Sequence, residues 1–526
     1  MMILGVCGSA DAFEVPTENE DIAIHWDNNF RYTLAQRLKG QDQDTVRSIN
    51  HDDGNRNFDV GIVSSRLDLL SEADLVYKKD YGFRLSGALW YDPIYKAKLD
   101  NNSPQTSNHF ENGQQATGLN QYTKRRFAGP DGELLDAFVF GKLNLGEVPV
   151  NVRAGRHTIY WGEAFFPAAG NNGISYGQSP IDMAKALAMP GVELKEIFRP
   201  LNQVSVQVQP TNELTIAGQY YLEWESNIFP EGGSYLGMVD GFLNSGEAFL
   251  LPTGPLPNGG DRRPGDMRDW GLKVAYSPEW LNGTLGFHYR NFSDKMPQVL
   301  ADATGFHYDY KSNISLYGIS FAKQIMGVSV GSELSYRRNM PLTSQWLAPA
   351  GARGDTMHAV LNFLTNLPKS PVYDSGTAIL EFAYGRWNRI SENPQFFTGL
   401  NGYKGIDAAT KDNSVVTVNL VPEWKQVLPG VDLATPLNFS VGMHGNAATL
   451  TGGTEGTGSY SAGLSFDVFA KYKIDLTYAS FFGNVKPDAT GQVLPPGNAQ
   501  PGQGAADAIA LLRDRDLLSL TLKASF

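Results

Sequence analysis

Apolar and polar residues alternate with a period of two through much of the chain. The C-terminal residues show this plainly, because one phase is apolar and the other carries serine, threonine and lysine. The apolar phase consists of Leu518, Leu520, Leu522, Ala524 and Phe526. Successive side chains of a β-strand point to opposite faces, so this pattern predicts a strand with one apolar and one polar face.

The whole chain divides in this way into about eighteen predicted strands. They fall near 22–38, 63–77, 81–95, 133–145, 149–161, 201–209, 213–226, 269–277, 283–294, 310–323, 326–338, 355–367, 375–389, 414–424, 436–446, 459–470, 472–484 and 515–526. The connections alternate between tight turns and long loops such as 96–132, 162–200 and 227–268. Outer-membrane barrels have short periplasmic turns and long external loops. The pattern therefore predicts an all-β, transmembrane, antiparallel up-and-down β-barrel of roughly 16 to 18 strands.

Both ends of the chain fit this prediction. Closing a barrel pairs the last strand with the first, and the apolar face of the last strand then meets lipid. In this chain the last predicted strand ends on Phe526. We expect residues 13–526 to form one barrel domain; a soluble β protein with a buried last strand is the alternative. Residues 1–12 end on Ala10-Asp11-Ala12, an A-x-A cleavage pattern, and are interpreted as a residual signal peptide. A basic opening segment is missing, so we expect either a start further upstream or a clipped signal peptide. An ordinary frayed terminus is the alternative.

The composition narrows the partners and the chemistry. The 526 residues contain 55 acids and 43 bases, and this negative balance argues against nucleic acid as a partner. The single cysteine, Cys7, excludes a disulfide framework and suits an oxidising compartment. No apolar run is long enough for a membrane-spanning helix. We expect outer-membrane lipid and lipopolysaccharide as the surroundings, with room for a periplasmic or inner-membrane transport partner, and no cofactor.

Three stretches, 52–95, 134–166 and 179–209, resemble a known family. The most specific parts are G-R-x-x-x-x-W-G-E at 155–163 and P-x-x-x-x-K-E at 190–196. These stretches resemble the proteobacterial outer-membrane family catalogued as domain of unknown function 1302. The resemblance implies a barrel in the outer membrane of a Gram-negative bacterium, without an established activity.

Loop 162–200 carries helical signals. Ser179 followed by Pro180, with Asp182 at the third helical position, predicts a helix that starts at Ser179 and stops at Pro190. Ile181, Ala184 and Leu187 share its apolar face. Each would forgo roughly 1.5–3 kcal/mol if left in water, so we predict that the loop folds inward as a plug or constriction. A helical cap over the mouth and a contact with a neighbouring subunit are the alternatives.

Polar residues of this loop and of the strands are candidates for the lumen. On the plug we expect Asp182, Lys185, Glu193, Lys195 and Glu196 to face water or wall charges such as Arg153 and Glu163. The second strand places Arg66, Asp68, Glu72 and Asp74 on one face, and Arg84, His157, His288, Arg290 and Glu381 are further candidates. Such charges either pair into a structural lattice or line a solute path. The sequence leaves both uses open.

Two weaker motifs indicate other chemistry. Asp53, Asn55, Asn57 and Asp59 alternate oxygen donors as a calcium loop does, but Phe58 and Ser64 stand where an EF-hand needs glycine and glutamate. A solvated polar loop is the alternative. The G-x-S-x-G motif occurs at 173–177 and 327–331, but a nucleophile elbow needs a strand–turn–helix that the pattern lacks. Apart from this weak calcium candidate no metal site is expected, and we predict that the chain is not an enzyme.

Three functions remain open from the sequence. The first is a channel or transporter for small organic or hydrophobic compounds, gated or narrowed by loop 162–200. The second is a sealed barrel that docks other components of a trans-envelope system. An outer-membrane hydrolase, with Ser175 as nucleophile, is the least favoured.

Overall fold

The computed structural model describes residues 13–166, 172–188, 194–400, 406, 408–450, 452–489, 491, 493, 505–506 and 509–526. Within them, eighteen antiparallel strands close into one barrel, when the interrupted fifteenth strand is counted once. The prediction of an all-β closed barrel with about eighteen strands is therefore confirmed. The predicted signal segment 1–12, Glu193 and the side chain of Lys195 lie outside the described residues.

The barrel strands follow one another around the wall in chain order. They are β1 Ile22–Arg37, β2 Gly61–Tyr77, β3 Tyr81–Tyr91, β4 Asp131–Leu145, β5 Val148–His157, β6 Leu201–Val208, β7 Leu214–Tyr221, β8 Trp270–Tyr276, β9 Gly283–Phe292, β10 Ile314–Ile325, β11 Val328–Pro341, β12 Arg353–Leu367, β13 Ser375–Glu392, β14 Asp412–Leu428, β15 Val431–Ala434 with Leu437–His444, β16 Gly458–Val468, β17 Tyr472–Phe482 and β18 Leu517–Ser525. β15 is interrupted next to Pro436, which has no N–H to donate to the ladder. A short strand, Phe13–Val15, pairs with β1 outside the ring.

The last strand closes the barrel against the first. Tyr32 lies opposite Leu522 and Leu34 opposite Leu520 in the β1–β18 register. Leu520 and Leu522 are 38% and 42% exposed on the outside, whereas Ser519 and Thr521 are buried inside. The apolar phase of the sequence therefore forms the outer face and the polar phase the lumen, as a membrane barrel requires.

The two ends of the barrel differ in their connections. Eight tight turns lie at one end: 78–80, 146–147, 209–213, 277–282, 326–327, 368–374, 429–430 and 469–471. Nine longer loops lie at the other: 38–60, 92–130, 158–200, 222–269, 293–313, 342–352, 393–411, 445–457 and 483–516. β1 begins and β18 ends at the short-turn end, as an even number of strands requires. The alternation predicted from the sequence holds around the whole ring.

The longer loops contain short elements of their own. The helices are α1 Gln43–Val46, α2 Asp53–Arg56, α3 Gln121–Thr123, which continues into a π-helical turn Lys124–Ala128, α4 Met183–Ala188 and α5 Leu194–Ile197. Short 3₁₀ turns are Pro93–Lys96, Pro104–Thr106, Leu243–Ser245, Pro394–Phe396 and Ala510–Leu512. Ala248–Leu251, Gly254–Arg262, Gln298–Asp302 and Gly305–Asp309 form a separate four-stranded sheet, and Phe110–Glu111 with Gln114–Gln115 and Val485–Lys486 with Ala505–Ala506 form two small ones. No helix among the described residues has both the length and the apolar character to span a bilayer.

Aromatic side chains from several long loops form a common hydrophobic core, called here the loop core. Phe58, Tyr95, Tyr235, Phe249 and Tyr308 are buried in it. The ring centroids of Phe58 and Tyr95 are 5.2 Å apart, and those of Phe58 and Tyr235 are 5.7 Å apart. Since these residues come from four different loops, the loops pack as one layer over the long-loop end.

Deletion of Phe526 is expected to lower the amount of folded barrel several-fold. The backbone N–H of Phe526 donates to Asn28 at 3.0 Å, and the N–H of Asn28 donates to Phe526 at 2.8 Å. The deletion removes this last pair of seam hydrogen bonds together with an outward aromatic side chain that is 60% exposed. Heat-modifiable migration of membrane fractions measures the folded fraction. Phe526→Tyr is the control, and an undiminished folded fraction in the deletion would contradict the prediction.

Candidate functional site

Loop 158–200, which joins β5 to β6, holds α4 and α5. The helix predicted to start at Ser179 starts at Met183, and Asp182 caps it by accepting the Lys185 N–H at 2.9 Å. The prediction of Ser179 as the cap is wrong because the backbone before the helix forms hydrogen bonds with other segments of the chain. The Asp182 N–H donates to the carbonyl of Ile197 at 2.8 Å, and the Ile228 N–H donates to the carbonyl of Ile181 at 2.9 Å.

One side of this loop is bound to charged side chains of β1 and β4. Lys185 forms an ion pair with Glu133 of β4, and both side chains are buried. Glu196 accepts two hydrogen bonds from the guanidinium of Arg31 on β1, at 3.1 and 3.2 Å. Two of the predicted plug charges therefore pair with wall charges, although with Glu133 and Arg31 rather than with Arg153 and Glu163.

A loop arginine completes this group of charges. Arg126 donates to Asp182 at 2.7 Å and lies 3.3 Å from Glu133. The neighbouring carboxylates raise the pKa of Arg126 against the opposing effect of its burial. Together Arg126, Glu133, Asp182 and Lys185 form a balanced cluster of two cations and two carboxylates, called here the β4 charge cluster.

The opposite side of the loop is held by two carboxylates on β11 and β13. Glu333 accepts the backbone N–H of Ala164 at 2.8 Å and also those of Glu163 and Ile174. Glu381 accepts the N–H groups of Phe165 and Phe166 at 2.6 and 3.3 Å. Both side chains are buried and belong to the polar, inward phase of their strands. Five backbone donors of one loop segment are thus bound by two wall carboxylates.

Two buried arginines bind the carbonyl groups of the same segment. Arg290 of β9 donates to the carbonyls of Ile174 and Tyr176 at 2.9 and 2.7 Å. Arg337 of β11 donates to the carbonyl of Gly173 at 2.9 Å. The wall therefore supplies hydrogen-bond partners for both kinds of backbone group in 163–166 and 173–176, described residues that form no regular helix or strand.

Apolar contacts reinforce the attachment to the β12–β13 side. Ala186 of α4 and Ile197 of α5 share a buried cluster with Phe166 and with Ile379 of β13, and Ile181 packs against it. Leu187 instead joins the loop core. Because β4 and β13 are nine strands apart in a ring of eighteen, the contacts of the loop lie on diametrically opposite walls.

A cavity of about 1240 Å³ extends from the short-turn end of the barrel up to this loop. Its lining includes Phe138, Arg153, His157, Tyr160, Glu163 and Phe165, together with residues of the turn 277–282. The Arg153 guanidinium lies 5.6 Å from the centre of the Phe138 ring. His157 is bound at both ring nitrogens, to the Gly155 carbonyl and to the Ser205 hydroxyl, each at 2.9 Å.

Most of the remaining predicted lumen residues are in ion pairs, whereas His288 lies beside the Ser320 hydroxyl at 3.1 Å. Arg84 binds Asp74 at 3.0 Å and Asp136 at 3.3 Å, and also contacts Glu72. On the same wall Arg66 lies 2.9 Å from Asp68, and Asp68 lies 3.6 Å from Arg31. These side chains form two groups of ion pairs on β1 to β4. Arg84 and Asp136 also border the cavity, as Arg153 and Glu163 do.

The four residues of the weak calcium candidate do not converge on one point in the structure. Asp53 begins α2 and its side chain accepts the Asn108 N–H at 2.8 Å, whereas Asn55 donates to Asp514 and Asn57 donates to Gly233. Asp59 is exposed and accepts from Gln41 at 3.2 Å. The helical turn sends alternate side chains in different directions. In the part of the chain that the structure describes, no group of three or more His, Cys, Asp or Glu residues could hold a metal ion.

The two G-x-S-x-G motifs occupy different surroundings. Residues 173–177 lie in the irregular segment that Arg290, Glu333 and Arg337 bind, and 327–331 span a tight turn and the start of β11. Neither stands at a strand–turn–helix junction. Five charged residues that bind loop 158–200 were not predicted from the sequence: Glu333, Arg337, Glu133, Arg126 and Arg31. The available signal was a charge on the inward phase of a predicted strand, which by itself does not identify a partner.

Three carboxylates are buried where long loops meet. Burial raises the pKa of Asp52 to about 6 and, together with the charge of Asp52, raises the pKa of Asp240 to about 7. Burial and these two neighbours also raise the pKa of Asp53. The Asp53 N–H donates to Asp240 at 3.1 Å, which joins loop 38–60 to loop 222–269. The folded loop layer therefore favours the protonated carboxyl groups.

The loop layer is accordingly expected to lose stability as the pH rises. The contribution of Asp240 to folding is most favourable below the ordinary pKa of 3.8 and declines as the pH rises through about 7. Asp240→Asn imitates the protonated form and should slow proteolysis of loop 222–269 several-fold at pH 8, with little effect at pH 5. The ratio of the wild-type and variant cleavage rates at each pH is the measurement. Asp59→Asn is the exposed control, and equal ratios at both pH values would count against the prediction.

The fold and its two chemically distinct faces define an outer-membrane, porin-like β-barrel. The chain belongs to the DUF1302 family, whose model matches residues 1–526 and whose description is a protein of unknown function. The family resemblance inferred from the sequence is thereby confirmed. No curated protein matches the chain.

Solved structures with a similar chain path include proteins of two organisms. Acinetobacter baumannii OccAB1 is 9% identical with a TM-score of 0.43, and 96% of each chain is covered. Acinetobacter baumannii OccAB2 is 9% identical with a TM-score of 0.41, covering 96% of this chain and 98% of that one. Pseudomonas aeruginosa OccK1 (OpdK) is 10% identical with a TM-score of 0.39, covering 96% and 99%.

Proposed function

We propose that the protein is an outer-membrane channel for small organic compounds, including hydrophobic ones, and that loop 158–200 folds into the barrel and narrows it. The observation that carries the proposal is the set of loop contacts on opposite walls. Lys185 and Glu196 bind β4 and β1, while Glu333 and Glu381 bind the loop backbone from β11 and β13. A loop that merely capped the mouth would not need inward-facing partners on strands nine apart.

The cavity on the short-turn side supports a path for solutes. Its volume of about 1240 Å³ exceeds that of an ordinary small-molecule pocket, and it is bordered at one end by the loop. Arg153 and Glu163 border this space beside Phe138, Tyr160 and Phe165. A mixed aromatic and charged lining suits organic solutes that carry a polar group. Arg153 and Glu163 are therefore candidates for solute contact, and the ion-paired Arg84, which borders the same cavity, is another.

Orientation follows from the two kinds of connection. Tight turns of outer-membrane barrels face the periplasm and long loops face outward. In this orientation the cavity opens to the periplasm and the loop core faces the medium. Solutes would then meet the loop layer first and the narrowed lumen second.

Permeation of proteoliposomes tests the proposal. Purified protein should admit uncharged and charged organic solutes of graded size, and deletion of residues 178–198 should raise the size limit. Heat-modifiable migration confirms that the deletion variant is folded. If neither protein admitted any solute, the channel would be ruled out.

A sealed barrel with a docking role is the second candidate, and the loop core is the observation that favours it. Buried aromatic residues from four loops close over the long-loop end. Such a layer would block diffusion unless it moved. In-membrane cross-linking decides between the two: reproducible capture of an envelope protein by an impermeable barrel supports docking, whereas permeation by an isolated barrel supports the channel.

A further inference from the structure

Cations are concentrated on the outer face of β11 to β14, close to the long-loop end. In β11, Tyr336 is outward and 36% exposed, and the next outward residue is the exposed Arg338. In β13, Phe382, Tyr384 and Arg386 occupy the outward phase, and Arg386 is also exposed. Arg389 and Lys411 are exposed beside them, in β13 and in the loop that leads to β14.

Hydrogen bonds, an ion pair and a ring contact anchor Arg389, Lys411 and the two tyrosines. Arg389 lies 3.1 Å from Asp355, which also accepts the Tyr336 hydroxyl at 3.0 Å. The Tyr384 hydroxyl donates to Asp412 at 3.0 Å, and Lys411 lies 3.4 Å from the ring centre of Trp387. Arg338, Arg386, Arg389 and Lys411 are called here the outer basic patch. Its four cations exceed its two carboxylates, Asp355 and Asp412, in a protein whose net charge is −12.

The height of the patch on the barrel matches a membrane surface. From residue 328 at the short-turn end to Arg338, the strand rises about 25 Å, for about 3.3 Å per residue and a tilt of about 40°. The apolar band of such barrels is about 25 Å tall. The outward residues below Arg338 are Tyr336 and the apolar Leu334, which is 49% exposed. The patch therefore lies at the upper edge of the band, where aromatic side chains mark the interface.

We infer that the outer basic patch binds the phosphate groups of the glycolipid in the outer leaflet, that is, the phosphorylated lipid A part of lipopolysaccharide. The inference rests on the proposed outer-membrane location and orientation. Guanidinium and ammonium groups are the natural partners of phosphate, and arginine binds it in bidentate geometry. Tyr336, Tyr384 and Trp387 position the cations at the level of the head groups, while the apolar strands below contact the acyl chains.

Charge complementarity singles out this lipid among the membrane components. A zwitterionic phospholipid brings its own cation and would gain little from four fixed positive charges. A glycolipid with two phosphates on one disaccharide offers several anionic oxygens to one site. Arg338 and Arg386 project from strands two apart, which at about 4.8 Å per strand gives a spacing of about 10 Å. Such a spacing suits a head group larger than a single phosphate.

Binding of lipid A in zwitterionic vesicles tests the inference. The full-length protein, refolded without lipopolysaccharide, is titrated with bisphosphorylated lipid A and with the same lipid after removal of both phosphates. The test variant combines Arg338→Gln, Arg386→Gln, Arg389→Gln and Lys411→Gln. The matched control replaces four exposed lysines of the short-turn end by glutamine: Lys78, Lys79, Lys369 and Lys471. Heat-modifiable migration confirms that both variants are folded.

We expect the wild type and the control variant to bind phosphorylated lipid A equally. The patch variant should bind at least about tenfold more weakly, because it lacks four cations that attract anionic phosphate groups. The dephosphorylated lipid should bind the wild type as weakly as the phosphorylated lipid binds the patch variant. Equal affinity of the wild type and the patch variant, or no preference for the phosphorylated lipid, would overturn the inference. Solute permeation of the same vesicles is recorded in parallel, so that failure of the channel proposal is seen separately.

Discussion

Replacing both Glu333 and Glu381 by alanine is expected to raise solute permeation through the barrel several-fold. Each carboxylate accepts backbone N–H groups of the loop segment that includes Ala164 and Phe165. Without them, five backbone donors lose their partners, and each one that stays buried and unsatisfied costs about 1–3 kcal/mol. That cost is large enough to release the segment from the wall and widen the path.

Graded variants make this result specific. Glutamine at both positions keeps one acceptor oxygen per side chain, so its effect should be smaller than that of alanine. Glu213→Ala with Glu392→Ala removes two carboxylates at the ends of the barrel and should leave permeation unchanged. Proteoliposome swelling with solutes of graded size is the measurement. An unchanged size limit in the doubly substituted alanine variant would show that these contacts do not set the width of the channel.

The second large effect is expected for Glu133→Gln in the β4 charge cluster. Glu133 and Lys185 are an almost fully buried ion pair, with Arg126 and Arg199 close to the same carboxylate. Removing the carboxylate leaves the buried ammonium of Lys185 with the more distant Asp182, 3.9 Å away. Breaking a buried pair costs up to about 3–5 kcal/mol. We expect a clearly lower unfolding temperature and faster proteolysis of loop 158–200.

The double variant Glu133→Leu with Lys185→Met provides the matching test. It removes both buried charges and fills their volume with apolar groups, which is often neutral or stabilising. Arg126 keeps Asp182, and Arg199 keeps its contact with Glu225. Most of the lost stability should therefore return. If the double variant unfolded as early as Glu133→Gln, the volume of these side chains rather than their charge would be what the loop requires.

Local sequence patterns predicted the barrel well because strand periodicity is a local property. The eighteen predicted segments correspond one to one with the observed strands, and the outward phase of β18, including Leu520 and Leu522, is as expected. The alternation of turns and loops followed from the same segmentation. Errors are confined to strand ends such as 92–95 and 222–226, where the chain leaves the ladder for a loop.

The helical loop was predicted only in part. Helical spacing indicated α4, but its first turn was placed at Ser179, because a serine followed by proline is a strong local start signal. The backbone at Ile181 and Asp182 pairs instead with Ile197, Phe198 and Ile228. A pairing partner about 46 residues away, such as Ile228, leaves no trace in a local pattern.

The sequence by itself determined which residues form strands, which face of each strand meets lipid, and which loops are long, since all three depend on neighbours within a few positions. Only the tertiary structure decided what the inward charges do. Glu72 and Arg84 pair within the wall, whereas Glu333 and Glu381 bind a loop more than 150 residues earlier in the chain. In the strand pattern, all four are simply charged residues on the inward phase, so the pattern does not distinguish them. Closure of the ring places strands that are nine positions apart on opposite sides of the same loop. These contacts therefore depend on the barrel as a whole.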